Sequence, residues 1–161
     1  MTKVIKGRPG QVYAFRIKPG EPFLETIQQV CEENNILNGV ILSAMGSLDG
    51  ARFFAPVEIP EKEFPYGYGD PTIMEGPVEL IGATGFISHG DENEVLLHVH
   101  VSLGDDKGNG FAGHLIEGNK ALFTIDVVLM ELEGLAFKRR WDDYLGVFMF
   151  SPEDAEEQEE V

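Results

Sequence analysis

The sequence predicts an α+β fold, in which one main helix packs against a mixed or antiparallel sheet. Apolar residues recur at helical spacing in one segment, residues 23–31, whereas strand-like patterns recur along most of the remaining chain. The connections between these strand patterns have the length of hairpin turns rather than of helical crossovers. A chain of 161 residues with 43% hydrophobic content suits a single domain, which we expect over residues 1–150.

Apolar spacing predicts the first strand and the helix. Residues 11–17 alternate between apolar and polar side chains, as a half-buried strand does. After a turn rich in Pro and Gly, apolar residues follow at helical spacing at Phe23, Leu24, Ile27, Val30 and Cys31. The pair Asn34-Asn35 ends this pattern. We therefore expect the chain to open with a strand, a turn and the helix.

The rest of the chain is predicted to consist of strands and short turns. The strand patterns after the helix are residues 39–45, 51–55, 78–88, 94–102, 111–116, 121–130 and 137–141. Residues 56–75, in contrast, are rich in Pro, Gly, Glu and aromatic residues, and we expect a loop or an irregular edge there. Its aromatic residues exceed what a solvated loop requires, which suggests that this segment packs on a neighbouring subunit.

Three of the four histidines fall into one pattern on two of these strands. His98 and His100 are separated by one residue, so they share a face of their strand. Residues 104–110 are dense in turn formers, and a reversal about Lys107 places His114 opposite His100. Three imidazoles would then suit zinc or a related divalent ion, with a fourth position open. The alternative is that they are ordinary polar residues on a half-exposed strand, and a one-residue slip would turn His114 away.

Two carboxylates are candidates for orienting these imidazoles, because a metal-bound histidine usually donates its second ring N–H to an oxygen. Glu94 has the same strand parity as His98. Asp126 lies among apolar residues of the strand 121–130, and a buried carboxylate needs a partner. Its partner could be an imidazole or, equally, a backbone amide or an arginine. The fourth histidine, His89, lies in a predicted turn and is not assigned to the site.

The net charge of −16 at pH 7 limits the expected partners. Residues 151–161 are predicted to form an acidic flexible tail, and the body of the chain stays acidic without them. Because such a chain repels a phosphate backbone, we do not expect direct DNA binding. The basic cluster Lys138-Arg139-Arg140 is followed at once by acidic residues, so it predicts a surface strand with local ion pairs.

The sequence also indicates where in the cell the protein is located. The apolar stretches are shorter than a membrane helix needs, so we expect no membrane partner. The N-terminus lacks the apolar core of a signal peptide, and the single cysteine, Cys31, suits a reducing environment. We therefore expect a cytoplasmic protein.

Several segments together resemble a known family. They are residues 15–21, 40–48, 79–88, 97–103 and 110–118. In this order they resemble the PPC domain, which is conserved in plants and prokaryotes. The resemblance implies a compact α+β domain, assembly as a homotrimer, and a metal bound at His98, His100 and His114. Ala112-Gly113 stands where the family usually has two glycines. Plant members bind DNA through a separate basic AT-hook. Residues 6–10 of this chain match such a hook only weakly and in part.

Three functions remain open on this basis. The first is a cytoplasmic, homotrimeric protein that binds a divalent metal, zinc by preference, and has a regulatory role. The second is a metal-dependent enzyme that acts on a small molecule at the open coordination position, since three histidines and a water are the ligands of many hydrolytic zinc sites. The third is a DNA-associated regulator that acts through partners.

Overall fold

The computed structural model describes residues 4–154 and confirms the predicted α+β fold. Its helix α1 spans Phe23–Glu33, and the other described elements are strands. The strands are β1 Arg8–Ile17, β2 Gly39–Phe54, β3 Pro56–Glu58, β4 Tyr66–Tyr68, β5 Thr72–His89, β6 Val95–Gly104, β7 Gly110–Leu115, β8 Ala121–Glu133, β9 Leu135–Asp142 and β10 Val147–Asp154. No helix among residues 4–154 has both the length and the apolar character that crossing a membrane requires.

The main sheet is mixed and folds back on itself. Its eight strands follow the order β1-β8-β2-β7-β6-β5-β9-β10, and β2 pairs with β5 as well. Strands β2, β5, β6 and β7 therefore form a closed ring of antiparallel pairs. The pairing of β5 with β9 is parallel, through His89 and Lys138. The ring brings β6 and β7, which carry three histidines, next to the end of β2.

Helix α1 covers the core with one apolar face. Phe23, Ile27 and Cys31 lie four residues apart along this face and are buried. The helix ends where the sequence predicts, because the side-chain amide of Asn34 donates to the Val30 carbonyl and Asn35 adopts a φ of 57°. Asparagine tolerates this left-handed backbone better than most residues do.

Strand β2 differs from the two short strands expected on either side of Gly46. It runs without interruption for 16 residues, with irregular register beside Gly46 and again near Gly50. A Cβ atom at Gly46 would collide with the Thr124 carbonyl oxygen and lie 2.8 Å from the Ile125 Cα atom of β8. The glycine therefore allows a close approach of two strands, and it does not end the strand.

The Gly46→Ala variant is expected to lose about 1–3 kcal/mol of unfolding free energy, because its methyl group must push β8 away. Urea denaturation measures this loss. The Gly82→Ala variant is the matched control, since nothing lies within 4 Å of a Cβ atom at that strand position. Equal midpoints for the two variants would contradict the prediction.

The segment 56–75, expected to be a loop or an irregular edge, contains regular structure instead. Strands β3 and β4 form a small antiparallel sheet, and β5 begins at Thr72. The aromatic side chains explain the difference, because they pack within the chain. Tyr68 stacks on Phe54, with ring centroids 5.4 Å apart, and Phe64 contacts both Tyr66 and Tyr144.

The C-terminal strand β10 was not expected from the sequence. It pairs with β9 from Val147 to Asp154, so the domain boundary expected at residue 150 falls inside a strand. Phe150 explains the pairing, because its ring packs 5.0 Å from Phe86 and 4.6 Å from Phe137. Residues 151–154 of the expected acidic tail thus belong to the sheet, and residues 155–161 lie outside the described part of the chain.

Candidate metal centre

The β6–β7 hairpin has the register that the turn residues predict. His100 is paired with His114, and Val101 with Gly113. Asp105 fixes the turn, because one of its carboxylate oxygens accepts hydrogen bonds from the backbone N–H groups of Lys107 and Asn109 at 2.9 and 2.7 Å. The register therefore follows from local turn chemistry, and it turns His114 toward the other two histidines.

The three imidazoles converge at one point. One nitrogen of each of His98, His100 and His114 lies within 4.8 Å of the other two, the separation expected of a group that can hold a metal ion. The Nε2 atoms of His98 and His100 are 3.0 Å apart. Imidazole nitrogens that share a tetrahedral zinc ion lie about 3.3 Å apart, so small side-chain rotations would complete the arrangement.

Burial favours the uncharged form of two of these imidazoles, His98 and His114. His98 and His114 are half-buried, whereas His100 is exposed. The pKa of His114 is lowered to about 4, mainly by burial and in smaller part by the positive charges of His98, His100 and Arg139. Burial also lowers the pKa of His98, followed by the charges of His100 and Arg139. Since a metal ion binds the neutral form of imidazole, both rings are in the binding-competent state at pH 7.

One ring nitrogen supports the fit of an ion to this cluster. Nδ1 of His114 is buried and has no hydrogen-bond partner within residues 4–154. A buried polar atom without a partner costs about 1–3 kcal/mol. An ion or a ligand bound at Nδ1 would supply the missing partner. The donor set, three imidazoles, is one that zinc uses in proteins, and a zinc ion would polarise a bound water or carbonyl oxygen there.

Strands β2 and β4 hold His114 in place. The Tyr68 ring lies 5.3 Å from the His114 ring and also stacks on Phe54. At the preceding residue, Gly113, a Cβ atom would collide with the Phe53 ring and lie 2.5 Å from the Phe54 carbonyl oxygen. The glycine thus lets β7 lie directly against the end of β2, and this contact sets the position of the third imidazole.

The structure does not bring Glu94 to the histidines. Glu94 precedes His98 by four residues, which corresponds to about 13 Å along a strand. Its carboxylate instead folds over the turn before β6, where it accepts a hydrogen bond from the backbone N–H of Glu92 at 3.0 Å. Glu94 lies just before β6, which begins at Val95, so the shared strand parity expected for it and His98 does not apply.

Asp126 also lies away from the cluster, and its partner is an arginine. Its two carboxylate oxygens accept hydrogen bonds from Arg16 at 2.6 and 3.1 Å. These two residues face each other on β8 and β1, and the arginine holds the pKa of Asp126 below its usual range. The apolar neighbours in sequence point to the opposite face of β8, which leaves Asp126 exposed.

Arg139 is the residue of this region that the sequence analysis missed. Its charge acts on both His98 and His114, although we expected it in a surface cluster with Lys138 and Arg140. Strand alternation was the available signal, because it places Arg139 on the face opposite to its two basic neighbours. The neighbours form ion pairs, Lys138 with Asp91 and Arg140 with Glu153.

A family model now decides the relationship that the segments suggested. The model of the Plants and Prokaryotes Conserved (PCC) domain matches residues 4–133. The chain belongs to this family. The histidine cluster, its turn and the contacting strand β2 all lie inside the matched part of this PCC domain.

Two solved structures resemble this PCC domain along most of their length. One is a plant- and prokaryote-conserved protein from Pyrococcus horikoshii, which is 29% identical, covers 93% of this chain and 97% of its own, and has a TM-score of 0.79. The other is a metal-containing protein from Archaeoglobus fulgidus, which is 27% identical, covers 93% of this chain and 99% of its own, and has a TM-score of 0.78.

The curated relatives are much longer proteins. The bifunctional protein GlmU of a Synechococcus strain is 24% identical over 136 residues, which are 84% of this chain and 19% of that protein. GlmU of a second Synechococcus strain is 23% identical over the same length. The PCC domain thus spans about a fifth of the curated relatives that it matches.

Proposed function

We propose that this PCC domain binds one divalent metal ion, zinc, through His98, His100 and His114. The observation that supports the proposal is the convergence of three imidazole nitrogens within 4.8 Å, two of them on rings that burial keeps neutral. The resemblance to a metal-containing protein from A. fulgidus supports it as well. The imidazole ligands favour zinc over the hard cations Mg²⁺ and Ca²⁺, which prefer oxygen.

Metal analysis tests this proposal directly. After dialysis, wild-type protein is expected to retain close to one equivalent of zinc per chain, and His100→Ala much less, because two imidazoles hold the ion poorly. The control is Ser102→Ala, which changes an exposed residue on the same face of β6, two positions away. Equal zinc content in wild type and His100→Ala would rule out the assignment.

A metal-dependent enzyme is the second candidate function. Three protein ligands leave a fourth position on a tetrahedral ion, where a water or a small molecule can bind. One observation favours it, a cleft of about 850 Å³ that is bordered by His114 and Arg139. A cytoplasmic regulatory protein that senses or stores the ion needs no such cleft. The two candidates share the metal site and differ in whether a small molecule binds beside it.

Direct DNA binding is the least favoured function. The chain is strongly acidic, with a net charge of −16 at pH 7. Several arginines are already paired with carboxylates, namely Arg8 with Glu133, Arg16 with Asp126 and Arg140 with Glu153. Phosphate contacts would have to displace these partners. Sub-micromolar affinity for random duplex that falls steeply with added salt would favour the DNA-associated function instead.

We further propose that the protein is a homotrimer. Large apolar side chains on the neighbouring strands β5, β2 and β8 are at least half exposed, namely Ile81, Leu42, Met45 and Phe123. Exposed apolar residues of this kind are typical of surfaces that a partner covers, and a closed symmetric oligomer would bury them. Light scattering is expected to give the mass of a trimer. A monomer at micromolar concentration would contradict this.

A further inference from the structure

The cleft beside His114 is built from five parts of the chain. It is lined by the face of α1 that includes Glu25 and by the beginning of β6. The end of β7 and the turn after it line it as well, from His114 to Gly118. Arg52 and Arg139 enter the cleft from β2 and β9. Its volume, about 850 Å³, is that of a cleft for a small organic molecule.

Arg139 is a half-buried cation that has no acidic partner among residues 4–154. One of its terminal nitrogens donates a hydrogen bond to the Phe148 carbonyl oxygen at 2.9 Å. Among the described residues, no carboxylate oxygen lies within salt-bridge distance of its guanidinium, whereas Arg8, Arg16 and Arg140 all have one. Burial lowers the pKa of Arg139, yet an arginine remains charged at pH 7. A partly desolvated guanidinium attracts an anion strongly.

A metal ion in the histidine cluster would add further positive charge close to Arg139. The inference rests on the proposed metal site, in which a dication would be held by three neutral imidazoles. Arg139 is close enough that its charge lowers the pKa of His98 and of His114. A dication beside this arginine is a site with excess positive charge. An oxyanion could bind the open position of the metal with one oxygen and Arg139 with another, and it would balance the charge.

The cleft has further polar groups around Gly118. A side-chain nitrogen of Arg52 lies next to Gly118. One carboxylate oxygen of Glu25 accepts a hydrogen bond from the Gly118 N–H at 3.4 Å, and its other oxygen is buried without a partner among residues 4–154. A hydrogen-bond donor on a bound molecule would satisfy this oxygen. The cleft therefore presents the positive charge of Arg139 together with His114, and around Gly118 it presents the charge of Arg52 together with the Glu25 acceptor.

We propose that the cleft binds a small carboxylate- or phosphate-bearing molecule, whose oxyanion lies between Arg139 and the metal ion. The geometry of a guanidinium favours this, because its parallel N–H groups match two oxygens of a carboxylate or a phosphate. Arg139 is then a binding residue for the anion and not a ligand of the metal. Its removal should weaken anion binding and leave the metal content unchanged.

Isothermal titration calorimetry at pH 7 with two probes, succinate and inorganic phosphate, tests the inference. Zinc-loaded wild type is expected to bind at least one of them, and the stronger probe identifies the acid class. Arg139→Gln is expected to weaken that binding by about 10-fold or more, the usual effect of losing a hydrogen bond to a charged group. The matched control, Arg140→Gln, removes the same charge from the next residue and should leave the affinity unchanged, because Arg140 pairs with Glu153.

Arg139→Lys provides a second variant in case the glutamine variant fails to fold, since it keeps the charge but not the paired N–H groups. It should bind the anion more weakly than wild type does. Zinc content, measured on the same samples, separates the two proposals. Full zinc content without anion binding, or equal affinities for the Arg139 and Arg140 variants, would overturn the inference alone. If wild type holds no zinc, the metal proposal fails, and the same titrations of metal-free protein decide whether Arg139 binds the anion.

Discussion

Zinc is expected to raise the melting temperature of the wild-type protein, and the His114→Ala variant is expected to lose this rise. An ion that binds only the folded state stabilises it by about 2.7 kcal/mol at a free concentration 100 times its dissociation constant. The variant lacks one of three ligands, and the two remaining imidazoles, on one strand, cannot surround the ion. Differential scanning calorimetry with and without one equivalent of zinc measures the difference.

The pH dependence of this stabilisation has a definite sign. In the folded protein without metal, the pKa of His114 is about 4, below its usual value of 6.5. The unfolded chain therefore binds a proton at a higher pH than the folded chain does. The contribution of His114 to the free energy of unfolding of the metal-free protein is thus full above pH 6.5 and is lost as the pH falls toward 4. Protons compete with the ion for the same nitrogens over the acid part of this range. The zinc-induced rise should thus be full at pH 7 and shrink toward pH 4.

A matched variant separates loss of the ion from loss of the fold. Ser102→Ala changes an exposed residue on the same face of β6 and should show the full rise with zinc. His114→Ala without metal should still unfold cooperatively, because Tyr68 and the end of β2 continue to cover that part of β7. An equal rise in His114→Ala and Ser102→Ala would contradict the proposed site.

The histidine cluster was predictable because each step depends on local chemistry. Alternation places His98 and His100 on one face, and a turn in which Asp105 accepts backbone hydrogen bonds fixes the strand that follows. The partner of His100 then follows from counting along the hairpin, and the structure pairs it with His114. None of these steps requires knowledge of how distant parts of the chain pack.

The surroundings of the cluster could not be predicted in the same way, because they come from distant segments. Arg139 reaches the site because β9 joins β5 through a single parallel pair, and no local pattern encodes that pairing. Tyr68 reaches it because the segment expected to be a loop forms strand β4 and packs the Tyr68 ring on Phe54. For Asp126, the local sequence was misleading. Its apolar neighbours suggested burial, but alternation turns it outward to Arg16 on the edge strand β1.

Gly113→Ala is expected to destabilise the fold and weaken metal binding together, although the residue is not a ligand. A methyl group at this position would collide with the Phe53 ring and lie 2.5 Å from the Phe54 carbonyl oxygen. A backbone oxygen cannot turn aside as a flexible side chain can, so β7 must move away from β2. That movement would disrupt the pairing of Phe54 with His114 and of Phe53 with Leu115. Overpacking of this kind typically costs about 1–3 kcal/mol.

The same displacement would move the His114 ring relative to the two histidines on β6, which pair with β5 and stay in place. Loss of the groups that orient a ligand typically weakens metal binding on the order of 10- to 100-fold, and we expect an effect of that size. Competition with a chromogenic chelator measures the affinity, and urea denaturation measures the stability. Gly110→Ala is the matched control on the same strand, because a Cβ atom there meets nothing within 4 Å. If Gly113→Ala binds zinc as tightly as Gly110→Ala does, then the contact between β7 and β2 does not set the position of His114.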